Sequence, residues 1–274
     1  MKINKNYKNS VFTALFGNEE KIIELYGAIE GKQYPKSADV KINTLQEALF
    51  MDRMNDVSFT IDDKVVVLVE HQSTINENMP LRALYYISRL YEKIIDSKKI
   101  YRKSLVKIPT PEFIVLYNGT KEYPDKCKLK LSDAFKTPGG EIELELIVNV
   151  FNINKGHNAE IAERSKTLDD YVSFIDMIRE SLKSGKKLAI AIKEAINFCI
   201  ENDILRDFLK KYGSEVANML NVEWNWDDAI EVAREEAMEE CIEKVARNLK
   251  ESGTLSLEQI SQASGLSVEE IEKL

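Results

Sequence analysis

Apolar residues recur along the chain with two periods, and the switches between them mark the elements. Val11, Phe12, Leu15, Phe16, Ile22, Ile23, Leu25 and Tyr26 have helical spacing, interrupted at Gly17-Asn18. After Gly31 and Pro35 the pattern predicts strand-like or irregular chain over 40–49. Val57-Ser58-Phe59-Thr60-Ile61 alternates as a half-buried strand does. Asp62-Asp63-Lys64 is a polar break, and Val65-Val66-Val67-Leu68-Val69 is a continuous run suited to a strand buried on both faces. Together they predict a hairpin. From Pro80 the spacing is helical again, through Leu81, Leu84, Tyr85, Ile87, Leu90, Tyr91 and Ile94. Phe113-Ile114-Val115-Leu116-Tyr117 predicts a further buried strand, closed by Asn118-Gly119, and 144–151 another. Beyond Asn158 the pattern is helical, with Gly185, Gly213 and Gly253 as expected boundaries. Residues 256–274 predict two short helices around Ser264-Gly265, each opened by a capping-box pair, Ser256/Gln259 and Ser267/Glu270. The expected class is α/β, with strands and helices interleaved over 1–155. An all-helical region follows over 156–250, then a short acidic helix-turn-helix-like module over 251–274.

Composition adds limits to this outline. With 44% hydrophobic and 31% charged residues the chain has the make-up of a soluble globular protein, and no apolar run is long enough for a membrane span. No secretory signal is visible at Met1-Lys2-Ile3-Asn4. Cys127, Cys199 and Cys241 are too dispersed for a zinc site or a disulfide framework, so a cytoplasmic, reducing setting is expected. His71 and His157 are the only histidines, so any metal would be held by oxygen ligands. The net charge of −8 is concentrated in 227–274, which carries 13 acidic and 5 basic residues and leaves 1–226 neutral. Within that neutral part, 82–107 holds eight cations against Glu92 and Asp96, enough for a modest phosphate-facing surface or for an ordinary solvated face.

Candidate chemistry lies on the hairpin. If Asp62-Asp63-Lys64 forms a three-residue loop, Asp56 falls directly opposite Glu70, with β-carbons about 5 Å apart on one face. Gln72 shares the Glu70 face by strand alternation. Two carboxylates at that distance repel unless a cation joins them. Mg²⁺, with Mn²⁺ as the alternative, prefers such oxygen donors and suits phosphodiester chemistry; the His71 carbonyl is a further candidate ligand. Gln72 is placed to orient a water or a phosphate.

Asn55-Asp56-Val57, then Val67-Leu68-Val69-Glu70-His71-Gln72-Ser73-Thr74, then Pro80-Leu81-Arg82-Ala83-Leu84-Tyr85-Tyr86 resemble the core of the Rpn family of recombination-promoting nucleases and putative transposases, within the PD-(D/E)XK nuclease superfamily. Lys8 through Gly17 resemble the family's first helix, Pro111 through Gly119 its later core strand, and 257–271 a C-terminal segment frequent in it. The resemblance implies a restriction-endonuclease-like core, a central mixed sheet flanked by helices. It also implies Mg²⁺-dependent DNA cleavage with Asp56 and Glu70 as metal ligands. Gln72 stands where the superfamily usually has lysine, and Asn9 near a position where relatives often carry an acidic residue.

Arg82, Tyr85, Tyr86, Arg89 and Lys93 form one helical stripe, either a DNA-contacting face or a tyrosine-edged core face with snorkelling cations. Lys8 is a further candidate contributor from the first helix. Cys199 and Cys241 read as buried spacers. The 256–274 module presents Glu269, Glu270 and Glu272, which suits packing or homo-oligomerisation better than DNA. The functional expectation is a cytosolic DNA endonuclease linked to recombination, mobile elements or defence. The rival is a catalytically weak DNA-binding or assembly protein on the same fold.

Overall fold

The computed structural model describes residues 11–35, 38–42, 56–71, 76–137, 141–252 and 254–273, with backbone alone at 56, 68–71, 223, 225–237, 239–240 and 273. Two compact units emerge, 1–221 and 222–274.

The first unit opens with helices α1 (Val11–Phe16) and α2 (Glu19–Glu30). The expected break at Gly17-Asn18 is present. Asn18 accepts a hydrogen bond from the Lys21 amide at 3.0 Å and caps α2, and Gly31 ends it with φ of 68°. Strands β1 (Lys41–Ile42), β2 (Asp56–Ile61) and β3 (Lys64–His71) are followed by helix α3 (Met79–Ile94) and strand β4 (Thr110–Tyr117). Then come β5 (Lys126–Lys130), a 3-10 turn and β6 (Ile147–Asn152). Helices α4 (Ala159–Arg164), α5 (Lys166–Lys183) and α6 (Leu188–Glu201) complete this unit with the start of α7 (Arg206–Ser252). The six-stranded sheet has the order β1-β2-β3-β4-β6-β5. β3, β4 and β6 run parallel, and β1/β2, β2/β3 and β5/β6 pair antiparallel. The apolar run of 65–69 therefore occupies an interior strand, as its pattern requires.

The α3 face carrying Met79, Ala83, Tyr86, Ile87 and Leu90 packs with Val65, Val67, Phe113, Val115, Val148 and Val150 in one buried cluster. On another core, Phe12 and Phe16 meet Tyr171 of α5 edge-on at 5.9 and 6.4 Å, and Tyr26 of α2 meets Phe59 of β2 at 5.5 Å. Helices flanking a mixed sheet, followed by helical chain, give the restriction-endonuclease-like α/β architecture expected. Helix α5 shares a core with α1, on which it packs through these aromatic rings.

Glu24 fastens α2 to α5. Its carboxylate accepts from the Thr167 amide (2.9 Å), the Ser165 and Thr167 hydroxyls (2.8 Å each) and the Lys21 ammonium (3.1 Å). Burial pushes its carboxyl upward, but these hydrogen bonds outweigh that and leave it below the ordinary carboxylate range. Because the group is partly exposed, Glu24→Gln should cost only about 1 kcal/mol near neutral pH in urea unfolding. The carboxylate's contribution is complete above the ordinary carboxylate range and disappears as pH falls through the lowered folded value. The stability gap between the two proteins should therefore close between about pH 7 and about pH 3. A gap constant over that range would contradict the assignment.

Several expectations are corrected. Gly213 lies inside α7 and ends nothing. A lone glycine costs a helix only about 1 kcal/mol against alanine, which the rest of a long helix absorbs. Gly185, with φ of 85°, does mark the chain reversal after α5, and Gly253 lies outside the described residues. Cys199 is fully buried and its thiol is pushed up to about 11 by burial, whereas Cys241 is exposed. β5 carries no strand signal in the sequence beyond Cys127 and Leu129. It forms because the edge of the sheet accepts a strand with alternating exposed lysines.

In the second unit, α8 (Leu257–Ser264) and α9 (Val268–Lys273) pack Ile260 and Ile271 with Ala246 of α7. Both capping boxes are present: Ser256 with Gln259, and Ser267 with Glu270. Gly265, with φ of 80°, separates the helices.

Candidate active site

The hairpin fixes where the proposed ligands stand. Its loop is the two-residue pair Asp62-Asp63, with φ of 46° and 58°, and Ile61 pairs with Lys64. Two consecutive left-handed residues make the type of tight turn whose twist matches the flanking strands, and aspartate tolerates that conformation better than most side chains. The three-residue loop is thus corrected, and the register moves by one. Asp56 pairs with Val69, not with Glu70. Direct opposition, which would have set both carboxylates on one face, is absent. What remains is a one-residue stagger at the open end of the hairpin. Asp56 begins β2, and Glu70 and His71 end β3, where they pair with Leu116 and Tyr117 of β4.

The side chains of Asp56, Glu70 and His71 are not described, and Gln72, Lys8 and Asn9 lie outside the described residues. Among the described residues no three His, Cys, Asp or Glu side chains gather as a metal set. By donor chemistry, two carboxylates and a main-chain carbonyl at one strand end suit a hard divalent cation.

The stripe on α3 resolves into two faces. Tyr86 is 7% exposed and belongs to the core, whereas Tyr85 is 56% exposed, with Arg82 and Arg89 half-buried and Lys93 exposed. The Arg82 guanidinium contacts Met79 Sδ at 3.5 Å. Because α3 connects the end of β3 to the start of β4, it runs back toward the hairpin turn. Arg82 is therefore nearest the Glu70 end, and Lys93 lies about 16 Å further along the axis. The cations of 98–107 fall beyond α3 altogether. Their loop delivers Thr110, whose amide donates to the Asp63 carbonyl at 2.9 Å, to the turn end of the sheet. The basic window is thus two surfaces.

The carboxyl ends of β4 and β6 hold a polar cluster that sequence reasoning missed. Arg179 of α5 donates to Asn118 Oδ1 and Asn154 Oδ1, both at 3.0 Å, and to the Asn118 carbonyl. Asn154 Nδ2 reaches Asn152 Oδ1 (2.9 Å) and the Gly119 carbonyl (3.0 Å). Asn152 and Asn158 are buried and bond the Tyr123, Asp125 and Asn152 carbonyls. Tyr117, whose hydroxyl donates to the Lys121 carbonyl at 2.8 Å, stands beside them, its phenol raised by burial against the opposing charge of Arg179. Asn118 directly follows the residue paired with His71, so this cation borders the strand end that carries Glu70. The signal was present as Asn118-Gly119 and Asn152-x-Asn154 just after apolar strands, but nothing local links them to Arg179.

Residues 39–197, more than half the chain, match the family model described as putative transposase, YhgA-like. The chain belongs to this family. The match runs from the sheet through most of α6, so it takes in the hairpin, α3 and the Arg179 cluster of this YhgA-like protein and stops before α7. It is the family that the residues around Asp56 and Glu70 resemble, and its description ties the chain to mobile-element function. No curated protein and no solved structure matches. Among the described residues no helix is long and apolar enough to cross a membrane.

Proposed function

We propose that this chain is a divalent-metal-dependent DNA endonuclease serving recombination, a mobile element or defence. One observation supports the reading: the backbones of Asp56 and of Glu70-His71 stand at the same open end of the β2/β3 hairpin, beside the carboxyl ends of parallel strands, in a YhgA-like chain. Ligand sites in open α/β sheets collect at such strand ends. Asp56, Glu70 and the His71 carbonyl hold Mg²⁺ or Mn²⁺. The ion, when bound, polarises the scissile phosphate and lowers the pKa of a water. Gln72 orients that water by hydrogen bonding, with Lys8 and Asn9 as further contributors. Arg82, Tyr85, Arg89 and Lys93 contact the DNA backbone along α3, Arg82 nearest the reacting phosphate.

The one-residue stagger between Asp56 and Glu70 favours a second reading, a catalytically weak DNA-binding or assembly protein whose helical C-terminal unit joins copies. A plasmid-nicking assay in Mg²⁺ separates the two. The expected result is nicking by wild type that chelation abolishes and Asp56→Ala lacks. Equal nicking by both proteins would remove Asp56 from the site. Inactivity of the wild type with intact DNA binding would leave the second reading.

A further inference from the structure

The connection between α3 and β4 is built unlike an ordinary solvated loop. From Ser97 to Pro111 it contains Lys98, Lys99, Arg102, Lys103 and Lys107 and no acidic residue. All five cations are exposed, and none forms an ion pair with a described residue. Between them stand large apolar side chains left in water: Tyr101 at 86% exposure, Leu105 at 82% and Ile100 at 59%. Exposed apolar groups gathered in one short segment mark a surface that meets something.

Both ends of the segment are tied down. Asp96 Oδ1 accepts from the Lys98 amide (3.0 Å), and the Asp96 carbonyl accepts from the Lys99 amide (2.8 Å). At the far end the Tyr91 hydroxyl donates to the Pro109 carbonyl at 2.6 Å. The cations and Tyr101 are therefore presented from a braced stretch. Turns followed by extended chain do not form the amphipathic helix that a membrane surface selects. Closely spaced cations interleaved with an exposed aromatic ring are the combination that binds a nucleic-acid strand, charge to phosphate and ring to base.

We propose that residues 97–109 form a second nucleic-acid-binding surface, separate from the α3 stripe, in which Lys98, Lys99, Arg102, Lys103 and Lys107 take backbone phosphates and Tyr101 stacks on a base. It lies at the turn end of the sheet, about 20 Å along β3 from Glu70, or about six base-pair steps of duplex. The assignment of the polyanion to DNA rests on the proposed function. The surface anchors DNA away from the reacting phosphate, so it governs affinity and footprint and leaves the chemical step alone.

Fluorescence anisotropy with labelled duplex and single-stranded DNA, on full-length protein without metal, tests this. The variants are one with all five cations changed to alanine and, separately, Tyr101→Ala; thermal melting confirms that each is folded. Between about 50 and about 200 mM salt, the five-cation variant should lose up to about four units from the slope of log K against log salt on duplex. Tyr101→Ala should bind single strands about tenfold more weakly. Nicking rates at saturating DNA should match wild type. Wild-type slope and affinity in both variants would overturn this surface and leave the metal site standing. Failure of the wild type to bind DNA would overturn both. Binding by the wild type to anionic phospholipid vesicles alone, or loss only of self-association in the five-cation variant, would assign the surface to another partner and overturn the proposal.

Discussion

Glu70→Ala is expected to reduce Mg²⁺-dependent DNA cleavage about 10³-fold, the equivalent of several kcal/mol of charge stabilisation at the reacting phosphate. Glu70 lies near the end of β3, an interior strand of the sheet, and its backbone is paired with Leu116 of β4. Removing the side chain leaves that ladder intact, and the loss should appear in turnover with folding preserved. Calorimetric titration with Mn²⁺ should show the bound-metal signal of the wild type weakened in Glu70→Ala and in Asp56→Ala alike, because one ion needs both carboxylates. Unchanged titrations with lost cleavage would move Glu70 from metal binding to another role. Retained cleavage would exclude it from the site.

Arg179→Met should be the most damaging of the single substitutions here for stability. The guanidinium serves acceptors on two residues, Asn118 and Asn154, and Asn118 is 1% exposed. Methionine matches much of its volume but leaves those acceptors without their charged donor, a loss of about 2–3 kcal/mol in urea unfolding. Arg179→Lys should recover only part of this, since one ammonium cannot reproduce the planar fork. A methionine variant within about 0.5 kcal/mol of wild type would show that water replaces the guanidinium freely.

The outline of this fold was legible wherever burial imposes a period. Val65-Val66-Val67 fits an interior strand, and the Gly17-Asn18 break and the Ser256 and Ser267 caps follow from local hydrogen bonding. The hairpin register was not legible to a single residue. A polar triplet supports either a two- or a three-residue loop, and the choice depends on Asp62 and Asp63 both accepting positive φ. That one residue decides which side chain faces Asp56 across the ladder. β5 was hidden for the opposite reason: an edge strand buries little, so its lysines carry no hydrophobic period. The Arg179 cluster joins positions 61 residues apart, and no local pattern encodes such a pairing.

The lysines of β5 have a consequence for how this protein behaves when crowded. Among the described residues β5 forms one edge of the sheet. On β5, Lys126 is engaged by Glu160, while Lys128 and Lys130 remain exposed. Two copies meeting along this edge would bring their ammonium groups face to face. Aggregation by strand addition is thus discouraged at this border during synthesis and refolding, when half-built sheets are most exposed.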